Sequence, residues 1–363
     1  MDSQHKKILD FFRVRRIIAP MILGLGVAAF LLFRNFDASA FGQIQWTSRS
    51  YFYLFMSLLL MVVRTVAYMY RLRVLTDGQI SWRRSFDVIM LWEFASAVTP
   101  SVIGGSAIAL FIVHREGISM GRTTAIVLVT AFLDELFYIL MVPVLIVTVG
   151  TENLFTSGGE YVMFNTRFGT QGVFAIGYIF IMVLTTTIIY GVFINPRGTK
   201  WILLNIFRLP FLRRWRPKAA ETGNEIIITS RELKGKPVSF WIKAFAGTFV
   251  SWTARFWVVN MLIMAFVGHG DHLLIYARQL VMWVILLISP TPGGSGVAEI
   301  AFSGFLGDFI PMGLSPAMGL MWRIISYYPF LFIGAIILPA WLKRVYAPKP
   351  KPQQTFEPPL KTV

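Results

Sequence analysis

The stretches Thr99-Pro100-Ser101-Val102-Ile103-Gly104-Gly105-Ser106 and Thr291-Pro292-Gly293-Gly294-Ser295-Gly296 interrupt two otherwise apolar segments of this chain. Each follows an apolar segment that carries one arginine: Arg64 precedes Thr99 by 35 positions, and Arg255 precedes Thr291 by 36. Lipid cannot satisfy backbone N–H and C=O groups, so broken helices at membrane depth line cavities enclosed by protein. Matched interruptions in two halves of a chain point to a binding site between the halves.

The composition is that of an integral membrane protein. Hydrophobic residues make up 56% of the 363 residues and charged residues 14%, far from the averages of soluble domains. The basic amino-terminal start runs into an apolar stretch without a small-residue cleavage site, so we expect that stretch to remain as an anchor. The chain has no cysteine, which excludes disulfides and thiolate chemistry.

Apolar windows of about 20 residues predict an all-α fold with about six full crossings. The broken regions, about 86–113 and 276–307, are predicted to be re-entrant helical hairpins; an ordinary spanning helix with a kink is the alternative for each. The six predicted crossings are 17–33, 50–70, 122–149, 171–194, 240–267 and 319–341.

The distribution of basic residues predicts the orientation. A cytoplasmic amino terminus puts most of them, including Arg71, Arg122 and those of the 195–239 loop, on the cytoplasmic side, as the positive-inside rule requires. The outer side receives Arg34, Arg49, Arg167 and Arg278. The net charge of +16 is then explained by attraction to anionic lipid. No soluble basic module or nucleic-acid motif accompanies it, so nucleic acid is not an expected partner.

The predicted crossings divide the chain into one polytopic domain, residues 1–345, and a proline-rich tail, 346–363, which we expect to be disordered and cytoplasmic. Units at about 50–149 and 240–341 would run in opposite directions as an inverted repeat, with the two hairpin tips meeting near the midplane. Within the loop, the stretch 221–236 is predicted to be a short amphipathic helix on the membrane surface.

The glycine stretches are candidate anion sites, since convergent N–H groups at the start of a half-helix suit phosphate. Close helix packing by small residues is the alternative explanation. The candidate lipid-contacting residues of the two stretches are Thr99, Pro100, Gly104, Gly105, Ser106, Thr291, Pro292, Gly293, Gly294, Ser295 and Gly296.

Charged residues inside predicted membrane helices are functional candidates because their insertion is costly. We take Arg64, Arg255, Arg323 and Glu299 as candidate substrate contacts, and Glu93, Asp134 and Glu135 as candidates for a proton or charge relay. Asp134 and Glu135 point about 100° apart on an ideal helix, so one partner cannot serve both. Mutual pairing is the alternative: Arg64 with Glu93 or Asp134, and Arg255 or Arg323 with Glu299.

Motifs of enzymes are lacking in the sequence. It contains no HExxH pair, no GxSxG elbow and no nucleotide-binding fingerprint. The stretch His269-Gly270-Asp271-His272 has residue types that bind metals, but a short polar loop is the favoured interpretation. We therefore expect no enzymatic activity, no cofactor and no metal.

The first stretch, followed by Gly117-Ile118-Ser119 and Asp134, and the run Pro290–Glu299 resemble the two signatures of the lysylphosphatidylglycerol synthase transmembrane region family. The resemblance covers about residues 17–341. It implies lipid translocation across the bacterial inner membrane, with the glycine turns and Glu299 facing the headgroup path. It carries no expectation of lipid lysylation, because the aminoacyl transferase domain of the bifunctional members does not occur in these residues.

The leading hypothesis is therefore a flippase or scramblase for a phospholipid or polyprenyl-linked phosphate lipid, in the inner membrane with both termini cytoplasmic. Two rivals stay open: an integral membrane transferase acting on a lipid-linked substrate, and a non-transporting partner of a separate lipid-modifying enzyme. Anionic lipids are the expected partners, and a homo-oligomer is left open.

Overall fold

The computed structural model describes residues 42, 46–99, 101–155, 160–163, 166–209, 213–287, 297–311 and 313–346. For residues 101–104, 160–163 and 166–168 it describes the backbone alone. The predicted crossing at 17–33, Pro100, the second glycine stretch and residues 347–363 of the proline-rich tail lie outside these ranges, whereas Tyr346, the first residue assigned to that tail, ends a helix.

The described residues form a helical bundle with one small antiparallel hairpin, β1 (Glu160–Met163) and β2 (Thr166–Gly169). A π-helical segment, Ile189–Ile194, extends one of the helices, and short 3-10 turns and one isolated helical turn join others. The main helices are α1 (Ser48–Leu75), α2 (Trp82–Val98), α3 (Ser101–Arg115), α4 (Met120–Val149), α5 (Thr170–Ile188), α6 (Pro196–Ile206), α7 (Arg216–Lys234), α8 (Val238–Phe266), α9 (His272–Leu287), α10 (Val297–Leu306), α11 (Ser315–Ser326) and α12 (Tyr328–Tyr346).

Five helical segments of the described chain are long and apolar enough to cross a membrane: α1, α4, α5 with its π-helical extension, α8, and α11 with α12. They coincide with the five predicted crossings at 50–70, 122–149, 171–194, 240–267 and 319–341. The all-α membrane class is confirmed. Uninterrupted apolar stretches of membrane length were sufficient to predict these helices, because a lipid-facing helix is apolar on almost every side.

Helices α1 and α8 pack antiparallel through the centre of the molecule. The Ser50 hydroxyl donates to the Ala265 carbonyl (2.8 Å) near one end, and the Ser251 hydroxyl donates to the Arg64 carbonyl (3.1 Å) near the middle. Gly247 lets the backbones approach, because a Cβ at that position would lie 3.1 Å from the Ala67 carbonyl oxygen. Small residues at the crossing are the usual means of close helix approach in membranes.

Each interrupted region is a pair of helices that turns back on itself. Gly105 of α3 lies against Ser96 of α2, and a Cβ on Gly105 would be 2.9 Å from the Ser96 Cα. A continuous helix would separate two residues nine positions apart by about 13 Å, so the chain reverses between them. In the second region, Arg278 near the start of α9 donates to the Phe305 carbonyl near the end of α10 (3.2 Å), which requires the same reversal.

At one end of the bundle, ion pairs connect segments that are distant in sequence. Asp77, between α1 and α2, pairs with Arg122 at the start of α4 and with Lys236 before α8. Arg344 near the end of α12 pairs with Asp87 and Glu116. These six residues come from segments that the positive-inside rule assigned to one common side, and the structure brings them together at one end of the bundle.

The predicted 195–239 loop contains two helices, α6 and α7, joined by 207–215. A helix at 221–236 was predicted, and α7 confirms its presence. Its environment differs from the prediction: Ile226 and Leu233 are buried, and the Glu225 carboxylate accepts from the Gly121 N–H at the start of α4. The apolar side of α7 therefore packs on protein.

Candidate functional site

A central cavity of about 290 Å³ lies between the two halves of the chain. The facing ends of both broken regions line it, with Ser96, Thr99 and Ser106 from α2–α3 and Leu286 and Ala298 from α9–α10. The rest of its wall comes from α1, α4, α8 and α11–α12. Its charged lining residues are Arg71, Glu93, Asp134, Glu135, Arg255 and Arg323.

Arg64 is fully buried beneath this wall. Its guanidinium pairs with the Glu93 carboxylate, through Nη2 and Oε1, and lies over the rings of Tyr68 and Phe330 at 4.9 and 4.6 Å. Of the two partners predicted for Arg64, the structure selects Glu93. Glu93 lines the cavity and Arg64 does not. Arg64 therefore lies behind the lining and holds the Glu93 side chain in place through the ion pair.

Arg71 is the one charged residue of the cavity lining that was not among the sequence candidates. We assigned it to a cytoplasmic segment, whereas it is buried in the last part of α1. Its Nη1 lies 2.5 Å from Asp134 Oδ1 and 3.0 Å from the Thr248 hydroxyl. The spacing of seven positions from Arg64, two helical turns on the same side of α1, was the signal that could have revealed it.

Asp134 and Glu135 do not share a partner, in agreement with their separation of about 100° on a helix. Asp134 accepts from Arg71 and from the Trp252 ring nitrogen at 2.9 Å. Glu135 also lines the cavity, and its Oε2 is buried without a hydrogen-bond partner among the described residues.

In the second half, Glu299 pairs with Arg323. Glu299 is the third residue of α10, and its Oε1 accepts from the Arg323 Nε at 3.1 Å. Arg323 lies in the last turn of α11 and also contacts the Tyr327 ring at 4.6 Å from its centre. The sequence had left Arg255 and Arg323 as alternative partners of Glu299, and the ion pair goes to Arg323.

Arg255 consequently has no carboxylate partner within the described ranges. Its guanidinium lies over two indole rings, at 4.2 Å from the centre of Trp283 and 5.3 Å from that of Trp252. Its Nε is buried with no hydrogen-bond partner among the same residues. Arg255 lines the cavity, so it presents a cation to the space between the two halves.

The first glycine stretch is only partly described. The Thr99 hydroxyl donates to the Ala95 carbonyl (2.6 Å) and ends α2. Gly104 belongs to the first turn of α3, where N–H groups have no acceptor within the helix. Gly105 follows that turn, and its contact with Ser96 matches the close-packing alternative at this position. Pro100, Thr291, Pro292, Gly293, Gly294, Ser295 and Gly296 lie outside the described residues.

The polar stretch 269–272 begins a helix. The Asp271 side chain accepts from the N–H groups of Leu273 and Leu274, both at 3.0 Å, and His272 stacks on Trp257. No group of three or more His, Cys, Asp or Glu side chains placed to hold a metal occurs in the part of the chain that the structure describes. A helix cap explains these residue types.

A model of the family described as "Lysylphosphatidylglycerol synthase TM region" matches residues 17–334. The chain belongs to this family. A relative, a UPF0104 membrane protein of Archaeoglobus fulgidus, is 25% identical over 268 residues, which are 71% of this chain and 76% of the relative. No solved structure matches the chain. The family match agrees with the resemblance carried by the two threonine-proline stretches.

Proposed function

We propose that this protein moves phosphate-bearing lipids between the leaflets of the plasma membrane, as a flippase or scramblase. The lipid headgroup would enter the central cavity, while the acyl or prenyl chains stay in the bilayer. The cavity is of headgroup size, at about 290 Å³, and it is bounded by helices of membrane length. Membership in the synthase transmembrane-region family supports the proposal, since it is the membrane region of lipid-handling proteins.

The observation that carries the proposal is the state of Arg255. A guanidinium inside a membrane bundle is costly and is expected to pair with an anion. Three of the four central arginines have carboxylate partners, whereas Arg255 lies over two indole rings and makes no ion pair with a carboxylate among the described residues. A lipid phosphate would supply the missing anion, and arginine binds phosphate through two parallel N–H donors.

The two broken regions would form the path. We infer that α2–α3 and α9–α10 are re-entrant hairpins that enter from opposite sides, as parts of an inverted repeat. Their facing ends both contribute to the cavity lining, which supports this arrangement. Alternation of access would follow from movement of one repeat against the other. With cytoplasmic termini, the ion pairs of Asp77 and Arg344 would lie on the cytoplasmic side.

The proposal involves no covalent chemistry, cofactor or metal. Downhill exchange or an ion gradient would drive movement, and Glu93, Asp134 and Glu135 are the candidates for coupling charge to it. The candidate contacts at Thr99, Ser106, Glu299 and Arg323 would line the path beside Arg255.

The test is lipid exchange between leaflets in proteoliposomes that contain acyl-labelled phospholipids. Arg255→Gln should lower the exchange rate at least about tenfold, since a charge-assisted phosphate contact contributes about 1.5–3 kcal/mol. Arg83→Gln removes an exposed arginine outside the cavity and should exchange lipid at the native rate. Native-level exchange by Arg255→Gln, or no exchange by the native protein, would contradict the proposal.

A further inference from the structure

Not all of the charged residues around the cavity form ion pairs with each other. Four arginines and four carboxylates surround it, and three ion pairs join six of them: Arg64–Glu93, Arg71–Asp134 and Arg323–Glu299. One cation, Arg255, and one carboxylate, Glu135, are left without an ion pair among the described residues. The site therefore offers one positive and one negative group to whatever enters it.

Glu135 is unusual for a carboxylate in a membrane helix. Its residue surface is 5% exposed, and its Oε2 has no hydrogen-bond partner in the described part of the chain. Tyr138, one turn further along α4, is buried with its hydroxyl equally unpartnered. Both residues line the cavity, and their spacing of three places them on one side of the helix. Two polar groups that can accept N–H donors thus face the same space.

Leaving such groups unpaired is costly, because each loses its water on burial. Asp134, the neighbouring carboxylate, is engaged by Arg71 and Trp252 and cannot supply a donor. A ligand cation beside Glu135 would offset both the unmet hydrogen bonds and the repulsion between the adjacent carboxylates. Indole and phenol rings line the same cavity, including Trp252, Trp283 and Tyr138, and aromatic faces attract cations.

We propose that the headgroup taken by this cavity is zwitterionic and carries a primary amine as well as a phosphate. The inference rests on the proposed function, because it assigns the ligand class of the same cavity. Arg255 would hold the phosphate, and Glu135 with Tyr138 would accept N–H donors from the ammonium group.

Two consequences separate this ligand from other phospholipids. A phosphate without an amine would leave Glu135 buried and uncompensated, so an anionic headgroup such as glycerol phosphate is disfavoured. A quaternary ammonium carries charge but no N–H donor, so it would leave the hydrogen-bond acceptors of Glu135 and Tyr138 unmet. The expected order of preference is phosphatidylethanolamine, then phosphatidylcholine, then phosphatidylglycerol.

The first experiment compares the exchange of these three acyl-labelled lipids in the same proteoliposomes. The native protein should exchange phosphatidylethanolamine about tenfold faster than phosphatidylglycerol, the ratio expected from one charge-assisted contact. Glu135→Gln should remove that preference, while Glu152→Gln, at an exposed position outside the cavity, should keep it. Tyr138→Phe keeps the ring and should slow phosphatidylethanolamine severalfold without slowing phosphatidylcholine.

A second experiment measures lipid binding directly, and so tests the headgroup inference independently of transport. Mass spectrometry of lipids retained by the purified protein, after incubation with equal amounts of phosphatidylethanolamine and phosphatidylglycerol, should show enrichment of the former, lost in Glu135→Gln. Enrichment without exchange of any lipid would overturn the proposed function and support the assigned headgroup. Equal or faster exchange of phosphatidylglycerol by the native protein, or unchanged preference in a folded Glu135→Gln variant, would overturn the headgroup inference alone.

Discussion

Arg64 in the first half of the chain and Arg255 in the second half precede their threonine-proline pairs by nearly equal distances, 35 and 36 positions. Their surroundings differ. Arg64 is fully buried, paired with Glu93 and covered by two rings. Arg255 faces the central cavity between two indoles and has no carboxylate partner among the described residues.

Under the proposed function, corresponding positions of the two halves serve structure in one half and ligand binding in the other. A buried ion pair fixes the register of two helices, here α1 and α2, and breaking it is costly. A cation without a partner contributes no such contact, so its retention inside a membrane bundle is better explained by an outside anion. Arginine position alone does not distinguish these roles; the location of the carboxylates does.

The largest expected effect is on the stability of the first half. Arg64→Met should lower the free energy of unfolding by about 3–5 kcal/mol, because it leaves Glu93 without its partner. Thermal unfolding in detergent measures the change, and Arg83→Met is the matched control on the surface. The double variant Arg64→Met/Glu93→Gln should recover part of the loss. A native unfolding temperature for Arg64→Met would remove the structural role assigned to this arginine.

A second contrast concerns the glycines of the two broken regions. Gly105→Ala should cost about 1–3 kcal/mol, as overpacking does, because its Cβ would lie 2.9 Å from the Ser96 Cα. Gly304→Ala, in α10, should be neutral or stabilising by up to about 1 kcal/mol, since a Cβ there would have no atom of another described segment within 4 Å. Both are measured by unfolding in detergent. Equal effects of the two substitutions would show that α2 and α3 are not in close contact.

The smallest expected change in stability is at Arg255. Arg255→Met should alter the free energy of unfolding by less than about 1 kcal/mol or raise it, because an unpaired buried cation is replaced by an apolar side chain of similar length. Lipid exchange by the same variant should be lost. A stability loss as large as that of Arg64→Met would indicate that Arg255 has an internal partner. The proposed difference between a paired Arg64 and an unpaired Arg255 would then be wrong.

The membrane helices could be predicted from the sequence to a large extent, because length and apolar content determine a crossing almost alone. The five helical segments that are long and apolar enough to cross a membrane lie where hydropathy predicts them. The interruptions of α2–α3 and α9–α10 were also visible, since proline and glycine mark them directly. The helical content of 195–239 was predicted only in part, and the packing of α7 on α4 was missed, because amphipathicity does not specify whether protein or lipid covers the apolar side.

The pairing of charges was less predictable. Arg64 had two candidate carboxylates, and Glu299 had two candidate arginines, because spacing within a helix gives no register between helices. Arg71 was placed in a loop because it lies close to the end of an apolar window, although it occupies the same side of α1 as Arg64. Arg255 was identified as unpaired among the described residues only after the structure had paired Glu93, Asp134 and Glu299 with other arginines.

The most direct test of a lipid path between the halves is to fill the cavity. Ala131 of α4 lines it, whereas Ala107 of α3 is exposed and is not part of its lining. In proteoliposomes, Ala131→Trp should abolish lipid exchange, because an indole would occupy much of a space of about 290 Å³. Ala107→Trp should exchange lipid at the native rate. Native exchange by a folded Ala131→Trp variant would contradict a headgroup path through this cavity.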